Sequence, residues 1–369
     1  MRFLHTADWH IGKIVNEYSM IEDQKVVLDQ IIEIANQEEV DVIVMAGDIY
    51  DRSLPSKEAV QLFNETLNKI HEHNLTLIAI AGNHDSPIRV QYASQLLKAE
   101  NIFLAGDVHI SKVSIGDTDF YLIPYADHLA VKAALDNDEI TNLEKALEAQ
   151  LELLQLDASK NNVATYHGYV IKDSQSLIES DSERPLSIGN SEFVDSVLFS
   201  DFDYVALGHL HASQKVTGDK IGYSGSILKY SKSEASHKKS VKIVTIDNKE
   251  VSIETRDLQP IRDLKVIKGS FEEIMQGNSD DYVFFELDDP QLIIEAMNRL
   301  KHRYPYAMGL EYTQLQKVMS SFSDLNLEKI ETLDYQKLFT QFYEHYSQKE
   351  LSEEQNEIII NTLKESESN

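Results

Sequence analysis

A chain of 369 residues exceeds what one hydrophobic core usually serves, so two or three domains are expected. At 42% hydrophobic and 26% charged it is composed like a globular protein, which excludes wholesale disorder. Sixty-two acidic against 34 basic residues give −28, excluding a uniformly basic nucleic-acid binder but not a local basic patch or metal bridging to an anion.

No apolar run reaches the roughly eighteen residues of a membrane helix, and Met1–Asp8 has no long apolar core of a signal peptide. A cytoplasmic protein without a membrane partner is expected. The absence of cysteine excludes disulfides, thiolate metal ligands and a cysteine nucleophile.

The first two-thirds alternate strand-like and helix-like segments. Phe3–Thr6 is a short apolar run leading into Asp8-Trp9-His10. Glu22–Glu38 predicts a helix, with Val26, Val27, Ile31, Ile34 and Ala35 at helical spacing. Val40–Ala46 is rich in β-branched residues, predicts a buried strand, and ends at Gly47-Asp48. Ser56 predicts the N-cap of a helix to about Ile70, followed by the strand Leu75–Ala81 and then Gly82-Asn83-His84-Asp85. That order is the grammar of a layered α/β domain, whose ligands gather beyond the strand C-termini.

Beyond residue 100 the strands Phe120–Pro124, Asn162–Tyr166 and Tyr204–Leu207 are expected to pair antiparallel. Hairpins are predicted around Gly218-Asp219 and Asp247-Asn248. Asp173–Ser191, rich in Ser, Asp and Glu, reads as an exposed loop. A boundary near Asp257–Pro260 closes a first domain, 1–257. Residues 258–318 then read as a small α+β unit, with strands at Leu264, Tyr282–Leu287 and Tyr306–Tyr312 and a helix at Gln291–Tyr304. Ser320–Ser323 looks like a linker within a tail, 319–369, that holds helices at about Asp334–Ser347 and Glu353–Lys364. Ser352 and Gln355 have the spacing of a capping box for the second. No internal repeat is visible.

Four strand ends each deliver a polar cluster: Asp8-x-His10, Gly47-Asp48-x-x-Asp51-Arg52, Gly82-Asn83-His84-Asp85 and Gly208-His209-x-His211. His167 stands alone in Tyr166-His167-Gly168. Any one cluster is ordinarily a turn or a structural histidine. All of them together, each after an apolar run, are what a two-metal site demands. Two ions roughly 3.5–4 Å apart can clamp both oxygens of an in-line displacement at phosphorus, and imidazole and carboxylate suit Mn²⁺, Fe²⁺ and Zn²⁺. Asp8, His10, Asp48 and His211 can form one ligand set; Asp48, Asn83, His167 and His209 the other, with Asp48 shared. In each D-x-H or H-x-H pair, alternate residues of an extended chain point to one side.

These blocks, D-x-H, G-D-x-x-D, G-N-H-D, a lone H and G-H-x-H, resemble the calcineurin-like metallophosphoesterase superfamily. The resemblance implies a four-layer α-β-β-α sandwich bearing a small α+β capping domain and a C-terminal helical tail. It implies that His84 is not a ligand but protonates or stabilises the leaving group. Asp51 is expected to hydrogen-bond the His84 imidazole through its carboxylate and raise its pKa. It further implies that metal-activated water, not a side chain, is the nucleophile, and that Arg52 contacts a phosphate oxygen.

Met1-Arg2-Phe3-Leu4-His5-Thr6-Ala7-Asp8-Trp9-His10-Ile11-Gly12, Ala46–Asp51, Tyr223-Ser224-Gly225-Ser226, Tyr230-Ser231 and His237-Lys238-Lys239-Ser240 resemble, more narrowly, the SbcD family. That family supplies the nuclease subunit of SbcCD and is related to the archaeal and eukaryotic double-strand-break nucleases. The resemblance implies an ATP-dependent 3′–5′ double-strand exonuclease and single-strand and hairpin endonuclease, active in DNA repair, recombination and replication. Two divalent ions are implied, Mn²⁺ foremost, with Mg²⁺, Fe²⁺ or Zn²⁺ as alternatives. The implied partners are DNA, the SbcC ATPase in a heterotetramer with two of each subunit, and a second copy through the nuclease domain. ATP would be bound only by SbcC, since this chain has no G-x-x-x-x-G-K-[ST] loop. Nucleoid association on DNA follows.

Lys229, Lys232, His237, Lys238, Lys239 and Lys242 form the densest basic cluster and are candidate DNA backbone contacts. Leu338, Phe339, Phe342 and Tyr346 lie on an apolar stripe, a candidate face for SbcC. Trp9 and the remaining histidines are expected to be structural or exposed. The rival readings are a phosphatase or small-molecule phosphodiesterase of the same superfamily, and a DNA-end scaffold without catalysis.

Overall fold

The computed structural model describes residues 1–172, 177–184, 186, 193–313, 340, 351–352, 355–356 and 358–359. Leu338, Phe339, Phe342 and Tyr346 therefore lie outside the described residues, as does the Ser320–Ser323 linker. The chain divides into two compact units, 1–286 with 293–310, and 287–292 with 311–369. Within the second, Ser352 Oγ accepts from the Gln355 N–H at 3.2 Å and Gln355 Oε1 from the Ser352 N–H at 3.0 Å, the reciprocal capping box. Among the described residues no helix is long and apolar enough to cross a membrane.

The first unit is built on two six-stranded sheets. One runs Glu250–Asp257, Ser240–Asp247, Arg2–Thr6, Val42–Met45, Thr76–Ile80, Ile102–Ala105 in space. Its last four strands are parallel, with Leu4 opposite Ile43 and Ile43 opposite Leu77. Continuous apolar runs suit strands covered on both faces. Helices Ile21–Gln37 and Lys57–Glu72 cover the outer face with Val27, Leu28, Ile31, Ala35, Leu62, Phe63 and Ile70. Ser56 caps the second helix, its Oγ accepting from the Ala59 N–H at 3.2 Å.

The other sheet runs Gln214–Thr217, Ile221–Tyr223, Tyr204–Gly208, Asn161–His167, Thr118–Ile123, Ser111–Ile115. Here the expected antiparallel pairing is corrected. Thr118–Ile123 pairs parallel with Asn161–His167, which pairs parallel with Tyr204–Gly208. Helices His128–Leu135 and Leu143–Leu151 lie between the first two in sequence, and a crossover of that length is what parallel pairing requires. Both predicted hairpins form.

The two sheets meet face to face through Phe3, Val44, Ile78 and Ile80 on one side and Phe120, Leu122, Val163 and Ala206 on the other. Leu143 and Leu147 cover the far side of the second sheet with Phe199 and Phe202, completing four layers. A three-stranded sheet of Leu264–Gly269, Tyr282–Leu287 and Ala307–Tyr312 follows. Its Leu264, Tyr282 and Met308 share one core with Trp9 and Met20, so packing continues across residues 257–260. The predicted helix there is shorter, Ala296–Lys301, because Glu295 takes φ 54 and starts a new turn.

The sheets pinch together at one point near the site. A Cβ on Gly208 would lie 1.9 Å from the Ala46 carbonyl oxygen, and that neighbour is backbone. Gly208→Ala should therefore push the strand ends apart and lower the thermal midpoint by about 5 °C or more, as over-packing typically costs 1–3 kcal/mol. A calorimetric scan showing the wild-type midpoint would mean that the contact yields freely.

Candidate active site

Every strand-end cluster arrives at one edge of the sandwich. Asp8 and His10 follow Arg2–Thr6, Asp48 follows Val42–Met45, and Asn83 and His84 follow Thr76–Ile80. His167 ends its strand, and His209 and His211 follow Tyr204–Gly208. Asp8, His10, Asp48, His84, His167, His209 and His211 are all buried. Four of them hold left-handed backbone, with φ 52 at Asp8, 45 at His10, 57 at Asp48 and 112 at His209. Such φ values are costly for residues with a Cβ and recur at functional sites.

Ligand atoms of three groups, Asp8–His10–His211, His10–Asp48–His84 and Asp8–Asp48–His167, each lie within 4.8 Å of one another. Asp8, His10 and Asp48 each belong to two of these groups. His209 falls in none of them; its ring stands edge-on to His167 with centroids 5.6 Å apart, and its main-chain N–H donates to Asp8 Oδ1 at 2.9 Å.

Polar atoms crowd one another at the centre. The His167 Nδ1–H donates to the Ala46 carbonyl at 2.9 Å, which leaves Nε2 as a lone pair. That lone pair lies 2.9 Å from Asn83 Oδ1 and 3.5 Å from Asp48 Oδ2, two more acceptors. His10 Nε2 sits 3.0 Å from His211 Nε2, and His10 Nδ1 is buried without a hydrogen-bond partner. Burial, then the neighbouring Asp48 charge, pushes the Asp8 carboxyl well above its ordinary pKa. Burial pushes the His10 and His209 imidazoles well below theirs, and the adjacent histidines add to it. Lone pairs converging in a desolvated pocket are the donor set of a cation site, and a bound cation reverses the charge logic that makes them unfavourable alone. The residues fit a pair of divalent ions.

His84 departs from expectation in one respect. Its Nδ1 donates to the main-chain carbonyl of Asp51 at 2.8 Å, not to the carboxylate. The Asp51 carboxylate instead accepts from Lys13 Nζ at 2.8 Å and Arg52 Nε at 3.3 Å. Burial lowers the His84 pKa, only partly offset by Asp48. The carbonyl fixes the tautomer and, like Asp48, acts to raise the pKa, but burial outweighs both. His84 Nε2 stays 3.9 Å from Asp48 Oδ2, pointed into the site.

The basic cluster is also corrected. Lys239 is 7% exposed, and its ammonium donates to the His211 carbonyl, Ser226 Oγ and Glu234 Oε2. Lys229 pairs with Asp263 at 2.9 Å, and Lys232 with Glu286 at 2.9 Å. Lys242 is buried, and burial followed by the Lys215 charge lowers its pKa to about 8. Lys239 and Lys242 serve the inside of the fold, whereas Lys229 and Lys232 are half-buried and ion-paired. Lys238 and Arg52 are exposed. Trp9 is buried, its indole N–H on Thr6 Oγ1, as packing requires.

Sequence reasoning missed three contributors. Gln24 donates to the His10 carbonyl at 2.8 Å and to the Tyr230 hydroxyl at 3.0 Å, behind the D-x-H turn. Glu234 is fully buried against His211. The third is Ser182 with Glu183, in the segment expected to be an exposed loop. Within its described part Leu177 and Leu186 are buried, the Ser182 hydroxyl lies 2.7 Å from His211 Nδ1, and Glu183 accepts the His211 N–H at 2.7 Å. The sequence signal for them is slight: Glu234 is the one acid between Lys229 and Lys239.

Residues 1–213 match the family model described as calcineurin-like phosphoesterase, and residues 260–347 match that described as type 5 capsule protein repressor C-terminal domain. The chain is 36% identical over 367 residues to the SbcD subunit of the nuclease SbcCD from Staphylococcus saprophyticus, covering 97% of this chain and 96% of that protein. Among solved structures it aligns with a dimetal phosphatase from Danio rerio at TM-score 0.43 and 12% identity, over 70% of this chain and 96% of that one. A Thermus thermophilus protein aligns at TM-score 0.42 and 13% identity, over 70% and 99%. With its strand-end blocks gathered at one edge of a four-layer sandwich and 36% identity over 97% of its length to a nuclease subunit, the chain belongs to the SbcD family of calcineurin-like metallophosphoesterases.

Proposed function

We propose that this metal-dependent nuclease hydrolyses DNA phosphodiester bonds with two Mn²⁺ ions, degrading duplex ends 3′ to 5′ and opening single strands and hairpins. The observation that carries the reading is the convergence of Asp8, His10, Asp48, His167 and His211 donor atoms in one buried pocket. Asp8, His10, Asp48 and His211 would hold one ion; Asp48, Asn83, His167 and His209 would hold the other. When bound, the pair supplies Lewis-acid polarisation of the phosphate and activation of water. His84, its tautomer set by the Asp51 carbonyl, holds or delivers a proton at the leaving oxygen. Arg52, exposed beside Asp51, and Lys238 are the remaining contacts for the DNA backbone.

In this reading residues 1–257 are the nuclease domain, 258–318 the capping domain and 319–369 a tail that binds SbcC. ATP acts through that ATPase, in an assembly of two copies of each subunit located in the cytoplasm. Ile88, Tyr92 and Leu96, exposed on two short helices and the turn between them, supply apolar side chains for contact between two nuclease domains.

One experiment tests both activity and tail. The purified chain is assayed on duplex ends, hairpins and a chromogenic phosphodiester, with and without Mn²⁺, SbcC and ATP. Deleting residues 324–369, which carry eleven acids and four bases, should leave metal binding and partner-free cleavage within about threefold. The same deletion should abolish co-purification with SbcC and ATP-dependent end processing. Co-purification at wild-type yield would place the partner elsewhere, and cleavage of the chromogenic ester alone would make the chain a small-molecule phosphodiesterase.

A further inference from the structure

We infer that Glu234, braced by Lys239, is a positioning residue that orients His211 for the first metal site. The inference rests on the two-metal reading and names a part of the chain that no ligand block contains.

Glu234 lies in the short helical turn Lys232–Ser236 and is completely buried. Its Oε1 is 3.2 Å from His211 Nδ1 and accepts from the Ser182 hydroxyl at 2.5 Å. Ser182 Oγ is itself 2.7 Å from His211 Nδ1. Because Ser182 spends its own proton on the carboxylate, it accepts from the imidazole. Both contacts therefore call for the proton of His211 on Nδ1. The ring is left with a bare Nε2, the atom that faces His10 Nε2 and the carboxylates beyond it. A carboxylate on the remote nitrogen of a metal-binding imidazole fixes tautomer and ring angle and raises ligand basicity.

Lys239 explains why a carboxylate can be buried there. Its ammonium donates to Glu234 Oε2 at 2.6 Å, to Ser226 Oγ at 2.8 Å and to the His211 carbonyl at 2.9 Å, which uses all three protons. One cation thus neutralises the acid that orients the ring and holds the main chain of the same histidine. Ser231 Oγ adds a further hydrogen bond to Glu234 Oε1 at 3.1 Å. A buried ion pair is weak evidence for stability and better evidence for a geometric duty. The pair reaches His211 directly, through Glu234 Oε1 at the ring and Lys239 Nζ at the main-chain carbonyl.

The test is titration of the metal-stripped, full-length chain with Mn²⁺ alone, by calorimetry, for wild type, Glu234→Gln and Glu234→Asp. Asp keeps the charge opposite Lys239 but withdraws it from His211, so it separates fold from positioning. Two sites are expected in wild type. In both variants one site should keep its affinity and the other should weaken by roughly 10–100-fold, the usual effect of losing such an outer partner. The thermal midpoint of metal-free Glu234→Asp should stay close to wild type. If Glu234→Gln does not fold, Glu234→Asp decides alone. Wild-type affinity at both sites in a folded variant overturns the inference and leaves Glu234 a structural ion pair. Wild type that binds fewer than two ions overturns the two-metal reading instead.

Discussion

Asp48→Asn is expected to leave a folded chain that fails to hold two ions and cleaves DNA more than about 10³-fold more slowly, since metal clamping supplies several kcal/mol to the transition state. Asp48 Oδ2 is the atom on which the pocket centres. It stands 3.6 Å from His10 Nε2, 3.5 Å from His167 Nε2 and 3.9 Å from His84 Nε2. The other oxygen accepts the His84 N–H at 2.9 Å, a bond that asparagine can keep. The substitution therefore spares the loop and removes only the charge and one acceptor. Metal content by mass spectrometry and nuclease rate with added Mn²⁺ are the measurements. Near wild-type cleavage would show that Asp48 bridges nothing.

His84→Gln should behave in the opposite way toward metal. The chain should keep two ions and its affinity for DNA while losing roughly 10²–10⁴-fold in cleavage, the typical contribution of a general acid. Its ring is held from behind by the Asp51 carbonyl, and its free nitrogen points at the site. Glutamine reaches a similar position but cannot carry the proton. Loss of an ion in this variant would make His84 a ligand, which its place in the His10–Asp48–His84 group allows geometrically.

Much of this site was legible because strand ends are legible. Apolar β-branched runs such as Val40–Ala46 announce buried strands, and whatever follows them is delivered to the sheet edge. Asp8, Asp48, His84 and His209 could be placed at that edge without coordinates. Pairing direction was not legible in the second sheet, since it depends on how long crossovers pack, and Asp119 or Thr165 look the same in either arrangement. The lysines of 229–242 misled for a related reason. Charge read along a chain suggests a surface, but Lys239 and Lys242 spend their length crossing the interior to particular acceptors or strands. Ser182 and Glu183 were hidden by composition, as a polar stretch looks solvated whether or not it folds back on a histidine. The Asp51–His84 contact shows the finest grain: the right residue was chosen, and the wrong atom of it.

The left-handed backbone at Asp8, His10, Asp48 and His209 bears on how this enzyme can be engineered. Glycine adopts those angles freely, whereas residues with a Cβ give up roughly 1–2 kcal/mol at each. In metal-free chains the same side chains also crowd desolvated charges and lone pairs. A library selected for heat resistance alone, in chelating medium, would thus be drawn toward glycine at positions 8, 10, 48 and 209. The hardiest survivors of such a screen would be those that had discarded catalysis. Any campaign to toughen this fold must hold those four positions fixed or select with the metal present.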